Sequence, residues 1–97
     1  MRSKIEITPE AELDIISLAS EIKLQNNAAT AKHMLLEIKK QFDALAEYPD
    51  AGRVGGCDGT REVVMSGMPY ITIYEQTDSA VIVVRVLRGA AGHPAPV

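Results

Sequence analysis

The sequence has little of what marks several common protein classes. Its 97 residues include one cysteine and no tryptophan, and no apolar run approaches the ~20 residues that a membrane-spanning helix needs. A single cysteine excludes an internal disulfide and argues against a cysteine-based metal site. The N-terminal residues MRSKIEITPE contain no apolar segment of the kind found in signal peptides. We therefore expect a cytoplasmic protein that does not associate with membranes.

Lysine is missing from the second half of the chain. Residues 53–97 carry four arginines and four acidic residues, whereas residues 1–52 carry six basic and nine acidic residues. The formal net charge of −3 lacks the basic excess of a non-specific nucleic-acid binder, whose affinity comes from phosphate neutralisation. Arginine without lysine instead suggests directed, bidentate or stacked contacts.

Two amphipathic segments in the first half predict a helical hairpin. The alternating residues 4–8 (KIEIT) predict a short edge strand that precedes them. Thr8-Pro9-Glu10 begins the first helix, and Lys23–Asn27 ends it. Asn27 can cap a second helix over residues 28–47. Apolar spacings of four and three predict the buried stripe of this helix: Ala31, Leu35, Ile38, Phe42 and Leu45.

The second half is rich in β-branched and aromatic residues. We predict a flexible glycine-rich loop over residues 50–59, then strands over residues 61–66, 70–75 and 80–87, and an irregular tail over residues 90–97. The last run, AVIVVRVL, is almost wholly apolar and predicts an internal strand. The order β-α-α-β-β-β predicts one α+β domain over residues 1–97. Its sheet should be largely antiparallel, with the helical hairpin packed on one face.

No catalytic or metal-binding constellation stands out. Neither His33 nor His93 has a partner at metal-ligand spacing, and Cys57 has no identifiable activating base. We therefore predict no metal and no cofactor, and we assign no catalytic residue. The candidates for target binding are the arginines and tyrosines of the β-rich half: Arg53, Arg61, Tyr70, Tyr74, Arg85 and Arg88.

These arginines allow two interpretations. They can form structural ion pairs, Arg61 with Glu75 and Arg85 with Glu62 or Asp78. Alternatively, they form with the tyrosines a cationic, aromatic patch on the uncovered sheet face. Such a patch would recognise an acidic macromolecule or cleave a phosphodiester.

Four stretches in order resemble the RelE/ParE superfamily of toxins from type II toxin–antitoxin systems. They are TPEAELDI at the first helix, ALAEYPDAGR at the end of the second, GTREVVMSGMPYITIYE across two strands, and VIVVRVLRGAAGHP at the end. Together they cover almost the whole chain, and the last two look most like the ParE branch. The fold implied by the resemblance, two helices against an antiparallel sheet, agrees with the fold predicted above.

The resemblance implies a function and partners. ParE-like toxins bind and poison DNA gyrase, belong to plasmid-stabilisation systems and are neutralised by a ParD-like antitoxin. That antitoxin contacts operator DNA, so the toxin would reach DNA only through it. RelE-like members are instead metal-independent mRNA endonucleases that act on the ribosome. A degenerate toxin that only binds its antitoxin is a third alternative.

Position 71 favours the ParE branch. RelE-like nucleases place an arginine just after the first tyrosine of this strand, whereas Ile71 follows Tyr70 here. Arg88 stands where many ParE members have histidine, and His93 where an aromatic residue often precedes the proline. The resemblance also implies that the antitoxin wraps across the toxin, and the Ile/Val-rich sheet offers it a surface. The candidate contacts for the antitoxin are Ile71, Ile73 and Val83.

Overall fold

A computed structural model describes residues 3–56, 59–65 and 67–89. The predicted tail over residues 90–97, with His93, lies outside these ranges, as does Cys57. The elements follow one another as β1 (Lys4–Ile7), α1 (Pro9–Gln25), α2 (Ala28–Glu47), β2 (Arg53–Val54), β3 (Thr60–Val64), β4 (Tyr70–Gln76) and β5 (Ala80–Arg88). The α+β class and the helical hairpin predicted from the sequence are confirmed.

The strands form one sheet with the order β1-β5-β4-β3-β2. All neighbours are antiparallel except β1, which runs parallel to β5 with Ile5 opposite Val81. The strand β5 is internal, as its apolar sequence predicts. Val84 forms a bulge in it, because Tyr74 of β4 lies opposite Val83 while the neighbouring Ile73 lies opposite Arg85.

Both helices begin at the residues expected from their capping signals. The Thr8 hydroxyl accepts a hydrogen bond from the N–H of Ala11, and Pro9 occupies the first turn, where its missing N–H has no cost. The Asn27 side chain accepts from the N–H of Thr30 at 2.8 Å. Local sequence therefore determines where the hairpin starts and turns.

The core lies between this hairpin and one face of the sheet, and Phe42, Met65, Tyr70 and Val86 are among its buried members. The predicted buried stripe of α2 is wrong at one position. Leu35 is exposed, and Met34 is buried in its place. In a straight helix of 3.6 residues per turn, positions spaced alternately by four and three drift around the helix axis. The face of α2 that packs on the core therefore includes Met34 and not Leu35.

The glycine-rich segment contains a short strand, β2, which its composition does not predict. Arg53 and Val54 pair with Glu62 and Arg61, so β2 is the edge strand at the end of the sheet opposite β1. The prediction of an unstructured loop was wrong here, because two paired residues leave no periodic signal in the sequence. Within the part of the chain that the structure describes, neither helix is long and apolar enough to cross a membrane.

Candidate functional site

Arg85 is held by α1. Asp14 accepts hydrogen bonds from Arg85 Nε at 2.7 Å and Nη2 at 2.9 Å, and from the backbone N–H of Val86 at 3.0 Å. The Thr8 hydroxyl donates to the carbonyl of Val84 at 3.0 Å. These contacts occupy the edge of β5 where β1 has ended. Arg85 therefore belongs to an edge-covering contact, and its partner is neither of the acids expected from the sequence, Glu62 or Asp78.

The charges of this contact reinforce each other. The hydrogen bond from Arg85 holds the pKa of Asp14 below its ordinary value of 3.8; burial opposes this effect, and the bond from Val86 N–H adds to it. The same hydrogen bond raises the pKa of the Arg85 guanidinium. Both groups are thus charged in the folded protein at neutral pH.

Arg88 is held in a similar way about two turns further along α1, by Glu21. Its guanidinium donates a short hydrogen bond to Glu21 and lies 5.9 Å from the centre of the Tyr70 ring. The ring itself is buried in the core. Half of the Arg88 side chain remains exposed, so this residue can still contact a partner across its free side.

Tyr74 anchors the segment that follows α2 by hydrogen bonds. Its hydroxyl donates to the carbonyl of Pro49 at 2.7 Å and accepts from the N–H of Gly52 at 2.9 Å. Arg61 donates to the carbonyl of Gly52 at 2.8 Å and lies 3.8 Å from Asp50, so the expected pair with Glu75 is wrong. Burial raises the pKa of the Tyr74 hydroxyl, which keeps it protonated as a donor. A Cβ at Gly52 would lie 2.6 Å from the Tyr74 hydroxyl oxygen, so only glycine fits.

Arg53 lies at the outer edge of the sheet. Its Nη2 is 3.3 Å from a carboxylate oxygen of Glu62, which is buried and also accepts from the N–H of Gly56 at 3.4 Å. More than half of the Arg53 side chain is exposed. Arg53 thus compensates a buried carboxylate while keeping an exposed flank.

The six candidates for target binding fall into two groups. Arg85, Arg88 and Tyr70 lie with α1 along β5, whereas Arg53, Arg61 and Tyr74 lie around β2 and β3. Tyr70 and Tyr74, which face Arg88 and Arg61, are four residues apart on β4, a separation of roughly 13 Å. The register also places Arg61 on the helix-covered face and Arg53 on the other. The structure therefore does not bring the six residues together as one patch.

The three residues expected to contact an antitoxin also differ in their surroundings. Val83 is 0% exposed, beneath the helices in the core. Ile71 is 4% exposed and packs closely against Gly89, where an added Cβ would lie 2.8 Å from the Ile71 Cδ1. Ile73 is half-buried on the face away from the helices. Of the three, only Ile73 offers an appreciable surface in this conformation.

Sequence reasoning did not identify a groove beside β3. The groove has a volume of about 300 Å³ and lies between the C-terminal half of α2 and β3. Its walls are mostly apolar and include Phe42, Leu45, Tyr48, Val63 and Met65. The groove arises from tertiary packing, so the sequence gives little indication of it. The only indication is an aromatic residue, Tyr48, directly after the end of α2.

A metal centre finds no support in the part of the chain described here. Among residues 3–56, 59–65 and 67–89, no three His, Cys, Asp or Glu side chains are grouped so that they could hold an ion. Each of the four arginines in the β-rich half contacts an acidic side chain of the same chain.

Known proteins are similar to this chain in sequence. Residues 5–91 match the family model of the ParE toxin of the type II toxin–antitoxin system parDE. The chain is 36% identical over 73 residues, 75% of each chain, to the Sinorhizobium fredii protein named "Putative toxin Y4kP". The chain belongs to the ParE toxin family of type II toxin–antitoxin systems.

Solved structures of toxin–antitoxin systems have the same fold. A chain of the chromosomal ParDE system from P. aeruginosa superposes with a TM-score of 0.85 at 16% identity, over 92% of this chain and 98% of that chain. A chain of the RelBE2 toxin–antitoxin complex from Mycobacterium tuberculosis superposes with a TM-score of 0.63 at 22% identity, over 91% and 99%. At these identities the comparison concerns the fold alone.

Proposed function

We propose that this toxin inhibits DNA gyrase by binding to it and is neutralised by a ParD-like antitoxin. The observation that carries the proposal is membership of the ParE family over residues 5–91. The similarity to a chain of a ParDE system supports the antitoxin as a partner. Target inhibition by binding needs no catalytic group.

The arginines argue against cleavage of mRNA, the RelE-like alternative. Phosphodiester cleavage without a metal needs cationic groups that are free to stabilise charge developing on the phosphate. Within the described ranges, Arg53, Arg61, Arg85 and Arg88 each hold an acidic side chain of the same chain. Ile71, at the position where the nucleases have arginine, is apolar and buried. This surface is better suited to a protein partner than to phosphate chemistry.

A supercoiling and cleavage-complex assay with purified gyrase tests the proposed target. We expect the toxin to block supercoiling and to accumulate cleaved plasmid, and we expect prior addition of the antitoxin to restore activity. Normal gyrase activity at saturating toxin would contradict the proposal. A parallel assay with translating ribosomes separates the alternatives, because an mRNA endonuclease would cut the message and a gyrase poison would leave it intact.

Expression without antitoxin tests whether the chain is toxic at all. We expect growth to stop, with DNA synthesis failing before protein synthesis. Normal growth at a confirmed level of folded protein would indicate a chain that only binds its antitoxin. Comparing the times at which DNA synthesis and protein synthesis stop then identifies the process that the toxin affects first.

A further inference from the structure

A buried hydroxyl without a partner lines the apolar groove beside β3. Thr72 is 1% exposed, and among the described residues its Oγ1 is the only buried side-chain nitrogen or oxygen atom that lacks a hydrogen-bond partner. An unpaired buried hydroxyl costs free energy, and native proteins keep few such groups. A hydrogen-bonding group from outside the chain would remove this cost.

The groove surrounds Thr72 with apolar side chains. Thr72 lies in β4, one strand further from the sheet edge than its neighbour Val63 in β3. Phe42 and Leu45 of α2 are buried and line the groove with it, whereas Tyr48 lines it and is exposed. Apolar and aromatic walls with a single polar atom at depth are typical of sites for small molecules.

The outer side of the groove is open to solvent. Pairing between β2 and β3 ends at Glu62. The N–H of Met65 donates to Tyr70 across the β3–β4 ladder, so the preceding residue, Val64, directs its N–H away from β4. Among the described residues, no strand covers that side of Val64, which is 63% exposed. A small molecule can therefore enter the groove at this side.

The volume and the lining define the class of ligand. The groove measures about 300 Å³. Since an apolar cavity of about 150 Å³ can hold benzene, this volume suits a molecule of about nine to twelve non-hydrogen atoms. None of the described residues that line the groove is charged, so an ionic ligand would lose its hydration without gaining a counter-charge. The ligand should therefore be neutral and mostly apolar.

We propose that the groove binds a neutral, bicyclic-sized apolar molecule whose one polar group forms a hydrogen bond with the hydroxyl of Thr72. A threonine hydroxyl both donates and accepts, so either kind of polar group would serve. The hydroxyl and the methyl group share one Cβ, and rotation about the Cα–Cβ bond turns the hydroxyl toward the ligand. The inference goes beyond the proposed function, because it requires neither gyrase nor an antitoxin.

A second groove of similar volume provides a comparison. It lies on the outer side of the helical hairpin, measures about 310 Å³, and is lined by Ile16 and Leu35. Its described lining also includes Lys23 and Lys32 but no aromatic side chain. If a ligand bound wherever apolar surface is exposed, it would bind this groove as well.

Indole and indene are suitable probes, because they share a bicyclic shape and only indole has an N–H donor. NMR titration of the folded, full-length toxin measures the affinity of each probe and locates it. Thr72→Val removes the hydroxyl and keeps the side-chain shape. Ala44→Leu narrows the groove at an exposed position of α2. Ile16→Ala in the second groove is the control.

We expect Thr72→Val to weaken indole binding about fivefold and to change indene binding less than about twofold. Ala44→Leu should weaken the binding of both probes, and Ile16→Ala should affect neither. The inference would be overturned if neither probe bound the wild-type toxin, if Thr72→Val changed both affinities equally, or if only Ile16→Ala reduced binding.

Discussion

The two edges of the sheet differ in how far their backbone groups are paired. Beyond the end of β1, the backbone of β5 is covered by its own chain, because Thr8 bonds the carbonyl of Val84 and Asp14 bonds the N–H of Val86. On the other side, β2 pairs with only two residues of β3, and the backbone of Val64 faces an apolar groove.

This difference indicates which edge is available to a partner. An edge strand with unpaired backbone groups can bind another chain, and proteins usually block such edges. Here the β5 edge is blocked by the hydroxyl of Thr8, which precedes α1, and by the carboxylate of Asp14 in α1. The β3 edge stays open at Val64, beside the apolar groove. Three substitutions test this contrast, and we describe them from the largest expected effect to the smallest.

Gly52→Ala should have the largest effect on stability, at the edge formed by β2 and β3. The added Cβ would lie 2.6 Å from the Tyr74 hydroxyl oxygen and 2.8 Å from the carbonyl oxygen of Glu62. Relief requires the segment after α2 to move away from β3, which should lower the free energy of unfolding by about 3 kcal/mol. Denaturant unfolding measures this change. Ala51→Ser, at an exposed neighbouring position, is the control, and an equal loss in both variants would contradict the explanation.

Asp14→Ala should expose the covered edge. It leaves the N–H of Val86 and the Arg85 guanidinium without their partner, and we expect a loss of about 2 kcal/mol at pH 7. The control is Glu12→Gln, on an exposed part of the same helix. A loss in Asp14→Ala no larger than in this control would show that Asp14 does not stabilise the edge.

The Asp14 contribution should also depend on pH. Because the folded-state pKa of Asp14 is below its ordinary value of 3.8, its stabilising effect is complete above that value. It is lost as the pH falls through the lower folded-state pKa. The stability difference between wild type and Asp14→Ala should therefore shrink below about pH 4. A difference that stays constant through the acid range would contradict this assignment.

The sequence accounts for the helices much better than for the edges. Thr8 and Asn27 predict both helix starts because a cap acts over three or four residues. The partners of Arg61 and Arg85 could not be predicted in the same way. Asp14 and Arg85 are 71 positions apart, and the bulge at Val84 decides which side chains meet at the edge. The groove depends similarly on how far α2 extends past β3.

Thr72→Val should have the smallest effect, with the opposite sign. Thr72 lines the groove, is 1% exposed, and its hydroxyl has no hydrogen-bond partner in the described structure. Valine has nearly the same shape, so it should raise the free energy of unfolding by about 1 kcal/mol. Thr77→Val is the control and should be destabilising, because the Thr77 hydroxyl accepts a bond from the N–H of Ala80 at 2.9 Å. A loss of stability in Thr72→Val would reveal a hidden hydrogen bond.

Amide hydrogen exchange at the two edges tests the central contrast most directly. In the free toxin, the Val64 amide should exchange rapidly and the Val86 amide slowly, because only Val86 has a hydrogen-bond acceptor in Asp14. A Val64 amide that exchanges as slowly as the Val86 amide in the free toxin would contradict the account.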